Sequence, residues 1–178
     1  MTSLAYDARV EKQRLLVVVR HAKAEQLAAS DLERPLSSRG VDDGRALGRW
    51  LAAEGVHPDV AYVSAALRTR QTWAALAEGA GWDLEAHVDG ALYGTDERGV
   101  IELVQATPDD AATVVVVGHN PTMAMLVQLL DDGEGEASGA PELGGFPTGT
   151  AAVFEVPGEW SGVDTMGCRL RAFHVGRA

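Results

Sequence analysis

The sequence predicts an α/β protein: a single-domain, three-layer α/β/α sandwich with a mostly parallel sheet and an antiparallel element near its carboxyl end. Three observations predict it. Two runs rich in valine, RLLVVV at 14–19 and TVVVVG at 113–118, are continuous rather than alternating, as in strands covered on both faces. Stretches with helical spacing alternate with the strand-like runs along the chain. A length of 178 residues suits one domain with a sizeable core and is short for two.

Each element follows from local chemistry. The first strand leads into a polar loop broken by Pro35 and Gly40, and Ser38 is expected to cap the next helix. Over 41–54, Leu47, Trp50 and Leu51 recur at helical spacing, and Gly55 stops the helix. DVAYVS at 59–64 reads as a second strand, and 67–78 as a helix closed by Gly79. Residues 84–88 form a third, weaker strand, and 96–106 a helix that ends before Pro108. After the strand at 113–118, a helix over 120–130 takes Pro121 in its first turn. DDGEGEASGAPELGG, 131–145, has the composition of a flexible surface loop. Residues 150–156 and 169–175 are two closing strands, with PGEW at the turn between them. Residues 1–13 read as a loose N-terminal extension: they carry both charge signs and lack the apolar core of a secretory signal.

Composition narrows the function. No apolar run approaches the roughly 20 residues needed to span a bilayer. Cys168 stands alone, so neither a disulfide framework nor a thiolate metal site is available. These features predict a cytoplasmic protein. The net charge of −11 argues against nucleic acid and anionic membranes as partners. A small anion in a local cationic pocket remains compatible with it.

The chemistry sits where the strands end. The first strand runs straight into Arg20-His21, and the strand at 113–118 runs into His119. In open α/β sheets, ligands bind outside the carboxyl ends of the strands. The second strand leads to a loop and helix carrying Arg68 and Arg70. Guanidinium forks match phosphoryl oxygens and stabilise their charge in a transition state. A neutral imidazole can take a phosphoryl group covalently, and a second, partly protonated one can donate to the same oxygens. His57 and His87 lie in other contexts, and no metal-ligand spacing appears, so neither a metal nor a cofactor is expected. A single histidine after a strand is ordinarily structural; what points to chemistry is Arg20-His21 together with Gly118-His119-Asn120-Pro121.

The pieces VVVRHAKAE, RPLSSRG, VSAALRTRQT, ALYG, VVVVGHNPTM and FPTGTAAVFEV occur in an order and spacing that resembles the histidine phosphatase superfamily, and within it the small SixA-like phosphohistidine phosphatases. The resemblance runs from about Arg14 to about Val175. It implies a phosphoglycerate mutase-like fold over 14–178. It also implies His21 as the nucleophile that becomes phosphohistidine, Arg20 and Arg68 as ligands of the phosphoryl oxygens, and His119 completing the pocket. Lys23 is a further candidate for substrate contact. Arg70, two positions along the helix from Arg68, faces elsewhere, and Arg34 reads as structural in the loop packed by Pro35 and Leu36.

Three departures from the family pattern stand out. The usual glycine after the nucleophile is Ala22, which does not read as inactivating. The usual proline before the second arginine is Ala65, which predicts a looser loop. The middle segment, where many members carry a proton-donating carboxylate, reads VDGALYGTDERG, with Tyr93 at about that place. Asp89, Asp96 and Glu97 are expected to be solvated surface carboxylates. The resemblance therefore implies a metal-independent phosphatase acting on phosphohistidine in a protein or another phosphoramidate. A sugar or nucleotide phosphomonoesterase is the alternative, and a non-catalytic phosphate-binding module a more distant one.

Overall fold

The computed structural model describes residues 13–178. The expected extension over 1–13 therefore lies, apart from Gln13, outside the described residues. The first strand, β1 (Arg14–Arg20), is followed by α1 (Ser38–Ala53), β2 (Val60–Ser64), α2 (Leu67–Ala80), β3 (His87–Asp89) and α3 (Glu97–Gln105). Then come β4 (Thr113–Gly118), α4 (Thr122–Leu130), the short α5 (Ala140–Gly144), β5 (Thr150–Val156) and β6 (Arg169–Val175). They form one six-stranded sheet in the order β3-β2-β4-β1-β5-β6. β3, β2, β4 and β1 are parallel, and β5 and β6 pair antiparallel with their neighbours. This is the predicted mostly parallel sheet with an antiparallel end.

The continuous apolar runs are explained by the layers. Along β1, Leu15, Val17 and Val19 pack with Leu47 and Leu51 of α1 and Leu76 of α2. Leu16 and Val18 face the other way, onto Val100 of α3 and Leu126 and Leu130 of α4. Side chains alternate across a strand, so a strand with helices on both faces must be apolar at every position. β4 behaves alike: Val115 and Val117 join the first layer, Val114 and Val116 the second. Burial of each such side chain stabilises the fold by roughly 1.5–3 kcal/mol.

Several boundaries differ from the sequence reading, each for a physical reason. Ser37, not Ser38, caps α1: its hydroxyl accepts from Gly40 N–H at 3.1 Å. α2 continues through Gly79 and stops at Gly81, whose φ of 72° turns the chain out of the helix. Gly79 serves a different purpose: a Cβ there would run into the backbone carbonyl of Arg45, and one at Gly48 into that of Leu76. The two glycines thus let α1 and α2 cross closely. The expected flexible loop at 131–145 is instead tied down. Asp132 N–H donates to Cys168 O (2.9 Å), Ala137 N–H donates to Leu170 O (3.1 Å), and α5 follows. The composition signalled solvation but not this backbone pairing along β6. Trp160 of the PGEW turn is fully buried and its Nε1 donates to Ala111 O at 3.0 Å. No helix among the described residues is long and apolar enough to cross a membrane.

Candidate active site

The carboxyl ends of β1, β2 and β4 open on one cleft of about 600 Å³, lined by Arg20, His21, Lys23, Arg68 and His119 among others. All five residues singled out in the sequence are brought together there. Arg70 is exposed and does not line the cleft.

His21 stands where three elements pin its backbone. Its N–H donates to Gly118 O (3.1 Å), continuing the pairing of β1 with β4, and its carbonyl accepts from Gly149 N–H (3.0 Å) just before β5. The next amide, Ala22 N–H, donates to Thr72 Oγ1 of α2 at 2.9 Å. Thr72 in turn donates to Arg68 O at 2.6 Å, so one hydroxyl couples the nucleophile candidate's turn to that of Arg68. Ala22 in place of glycine is accommodated, its side chain fully buried.

The imidazole's tautomer is set by its partner. His21 Nδ1 lies 2.8 Å from the carbonyl oxygen of Ala22. A carbonyl can only accept, so Nδ1 carries the hydrogen and Nε2 the lone pair. Nε2 makes no hydrogen bond among the described residues. Burial depresses the His21 pKa to about 4 despite the Ala22 bond, and the guanidiniums of Arg68, Arg20 and Arg34 push the same way. The ring is neutral at neutral pH.

His119 faces it, with ring centroids 5.3 Å apart. Its Nε2 is 2.8 Å from the hydroxyl of Ser64, the last residue of β2 and fully buried. The partly protonated imidazole expected from the sequence is not what this environment gives. Burial first, then Arg68 and His21, lower the His119 pKa to about 4, so in the free protein this ring too is neutral.

The guanidiniums are held from outside the cleft. Arg20 Nη1 donates to Phe146 O at 2.9 Å, and Asn120 Nδ2 donates to the same carbonyl at 2.9 Å. Arg68 is buried and grips Asp31, Nη1 to the backbone oxygen at 2.6 Å and Nη2 to Oδ2 at 3.0 Å. Asp31 also accepts from Tyr93 Oη (2.6 Å) and pairs with Arg34 (2.9 Å). These bonds, Tyr93's first and then Arg34's and Arg68's, hold the Asp31 carboxyl well below the usual carboxylate range. The same bond raises the Tyr93 phenol above its ordinary pKa. Arg34 is structural, as read: Nε donates to Glu25 O at 2.8 Å, although its side chain also reaches the cleft.

The loop at Ala65 is not loose. Thr69 Oγ1 lies 2.7 Å from both Ser64 O and Ala66 O and braces the turn in place of a proline ring. Asp89 and Asp96 serve local backbone, accepting from Ala91 N–H (2.8 Å) and from Gly99 N–H (3.0 Å), and neither they nor Glu97 lines the cleft. Sequence reasoning missed Asp31 and Ser64. Asp31 had only a weak signal, an acid three residues before Arg34 in a loop that also carries Glu25 and Glu33. Ser64 had none, since a strand-terminal serine is ordinary. Among the described residues no group of three or more His, Cys, Asp or Glu is arranged to hold a metal ion.

Two facing imidazoles between two anchored guanidiniums, at the open ends of a parallel sheet, define a phosphoryl-transfer class of site. The family model described as histidine phosphatase superfamily (branch 1) matches residues 16–96, and the chain belongs to that superfamily. Its relatives include the phosphohistidine phosphatase SixA of Escherichia coli, 32% identical over 119 residues that cover 66% of this chain and 74% of the relative. A solved structure from Nakamurella multipartitia, assigned to SixA, superposes with a TM-score of 0.81 at 34% identity, covering 93% of this chain and 98% of the other. The protein histidine phosphatase SixA complexed with tungstate superposes with a TM-score of 0.75 at 27% identity over 91% and 97% of the two chains. By family and by these relatives the protein is a phosphatase.

Proposed function

We propose that residues 14–178 form a cytoplasmic, metal-independent phosphatase domain that works through a phosphohistidine on His21 and hydrolyses phosphohistidine in proteins or another phosphoramidate. The observation that carries the reading is His21 itself: neutral, its Nδ1 engaged by the Ala22 carbonyl, its Nε2 unengaged, beside Arg20 and Arg68 and facing His119.

In the first step His21 Nε2 attacks phosphorus and the bond to the leaving group breaks. Arg20 and Arg68 stabilise the equatorial oxygens, and His119, steadied by Ser64, completes the pocket. The Nδ1 hydrogen stays on His21, where the Ala22 carbonyl stabilises the phosphoimidazolium that forms. In the second step water attacks phosphorus and the N–P bond breaks. Because Nδ1 kept its hydrogen, His21 leaves as a neutral imidazole. Inorganic phosphate departs as the dihydrogen form, carrying both protons of the attacking water.

The same reasoning favours the substrate. An imidazole protonated on its distal nitrogen leaves a phosphohistidine as a neutral group with no acid to help it, whereas an alkoxide needs a positioned acid worth roughly a hundredfold to ten-thousandfold. Asp31, bound to Arg68 and Tyr93 behind the cleft, is kept ionised by its hydrogen bonds and has no proton to give. SixA relatives, one of them in complex with tungstate, a tetrahedral oxyanion, support the reading. The test is a substrate panel run with chelator present: phosphohistidine protein, a phosphoramidate, aryl phosphates, sugar phosphates and nucleotides. Phosphoramidates and aryl phosphates should be hydrolysed far faster than alkyl phosphates, and Asp31→Asn should not selectively lower the alkyl rate. Comparable alkyl and aryl rates, with the alkyl rate collapsing in Asp31→Asn, would favour the small-molecule phosphomonoesterase instead.

A further inference from the structure

The cleft is more cationic than one phosphoryl group requires. Six of the chain's 15 lysines and arginines line it (Arg20, Lys23, Arg34, Arg39, Arg68 and Arg177), in a protein whose net charge is −11. Arg20 and Arg68 flank the imidazoles, and Arg34 is paired with Asp31. Lys23, Arg39 and Arg177 remain. Gathering like charges costs stability unless an anion comes to meet them.

These three are placed, not scattered. Lys23 sits two residues beyond His21, and its carbonyl is bound by Ser37 N–H (2.9 Å) and Ser37 Oγ (3.1 Å) at the start of α1. α1 lies so close to this turn that a Cβ at Gly40 would strike the Lys23 carbonyl. The Lys23 ammonium itself has no partner among the described residues. Across the same end of α1, the side chain of Asp43 is only 5% exposed and draws in two guanidiniums, Arg39 at 3.7 Å and Arg177 at 3.6 Å. Arg177 is further fixed by Thr148 O at 3.1 Å, and Asp43 accepts from Ala178 N–H at 3.1 Å. A clamp on residues 176–178 would explain Asp43 and Arg177. It does not need Arg39, which is 65% exposed yet turned to the same carboxylate, nor Lys23. One carboxylate against three cations leaves this end of the cleft positive.

We propose that Lys23, Arg39 and Arg177 form a second anion subsite, and that the preferred substrate carries a carboxylate or phosphate beyond the phosphoryl group that is transferred. The inference rests on the phosphatase reading and refines it. A cleft of about 600 Å³ has room for such a substrate. Asp43 is the positioning residue: it holds two forks in place before the anion arrives, which lowers the ordering cost of binding. Two sources of the second anion share this chemistry, an acidic side chain beside a phosphohistidine in a protein and an acidic group on a small molecule.

The test uses matched pairs in two arms. One arm is phosphohistidine peptides with aspartate or asparagine flanking the phosphohistidine. The other is phenyl phosphates with a tethered carboxylate or carboxamide, the tether varied in length. In at least one arm the acidic member should have a KM about tenfold lower than its neutral partner with a similar kcat, and the arm that responds identifies the source. Arg39→Gln/Arg177→Gln should erase the preference while leaving kinetics on the neutral members unchanged. Should Arg177→Gln unsettle the fold, Arg39→Gln alone should cut the preference about threefold. A wild-type enzyme that hydrolyses both members of every pair with equal KM overturns the subsite and leaves the phosphatase intact, as does a preference that survives in both variants. A wild-type enzyme that hydrolyses none of these compounds overturns the phosphatase reading and the subsite with it.

Discussion

At the scale of single residues, the site shows how neighbours choose the chemistry of a side chain. Arg68 is buried and only part of its guanidinium is engaged: Nη1 and Nη2 hold Asp31 from behind, which sets the plane the phosphoryl group would meet, while the buried Nε has no hydrogen-bond partner among the described residues. A lysine would keep the charge and lose the planar fork. Arg68→Lys should therefore lower kcat/KM by about tenfold to a thousandfold, the cost of a preorganised donor. Steady-state kinetics on one phosphoramidate decide it, and an unimpaired variant would place Arg68 outside the phosphoryl pocket. The aspartate that positions Arg68 was not readable in the sequence as a partner, because the pairing spans 37 residues and depends on how the 25–34 loop folds back over α2. That Arg20, His21, Arg68 and His119 meet in one cleft was readable because Arg20 ends β1, His21 and His119 directly follow β1 and β4, and Arg68 lies in the first turn of the helix after β2, and strand ends of a parallel sheet converge by topology.

Between residues and molecule, the crossing of α1 and α2 is the element that places Arg68 relative to Lys23, and it depends on glycines. Helix propensity alone favours alanine over glycine by about 0.8–1 kcal/mol in a helix interior. At Gly79 the Cβ would strike the Arg45 carbonyl, and backbone cannot yield as a flexible side chain does. Overpacking of this kind costs about 1–3 kcal/mol. Gly79→Ala should thus lower the midpoint of urea unfolding despite the better propensity; an unchanged or raised midpoint would show that the helices separate freely. This glycine also explains a boundary the sequence misplaced. Read locally, Gly79 is a stop signal; only the packing partner shows that it lies inside α2 and that Gly81 ends the helix. The strands and the helices on both faces were legible because burial on two sides leaves an uninterrupted apolar run. The 131–145 segment was not, because its hold on β6 uses backbone groups, which every sequence has.

For the molecule as a whole, burying two imidazoles at the mouth of an anionic protein makes both activity and stability depend on pH. Folded His21 and His119 titrate near 4, against an ordinary 6.5 in the unfolded chain. Between those values the unfolded chain binds protons that the folded one does not, so stability falls as pH drops from about 6.5 through about 4. Below about 4 the nucleophile loses its lone pair. Chemical denaturation across this window should show the decline, reduced in His119→Asn, and kcat/KM corrected for substrate ionisation should hold until its acid limb near 4. A stability that rises on acidification, or an acid limb at 6.5, would contradict the burial argument.

The central claim is that His21 carries the phosphoryl group, and it is tested most directly by trapping that group. Enzyme mixed with a phosphoramidate labelled at phosphorus and quenched within the first turnovers, in alkali to preserve a phosphohistidine, should yield one labelled peptide, the one containing His21, with the label lost on acidification. His21→Ala should show no label and less than about a hundredth of wild-type turnover, since loss of a covalent nucleophile costs orders of magnitude. Wild-type turnover with no label at His21, or a His21→Ala variant that keeps more than that hundredth, would contradict the account.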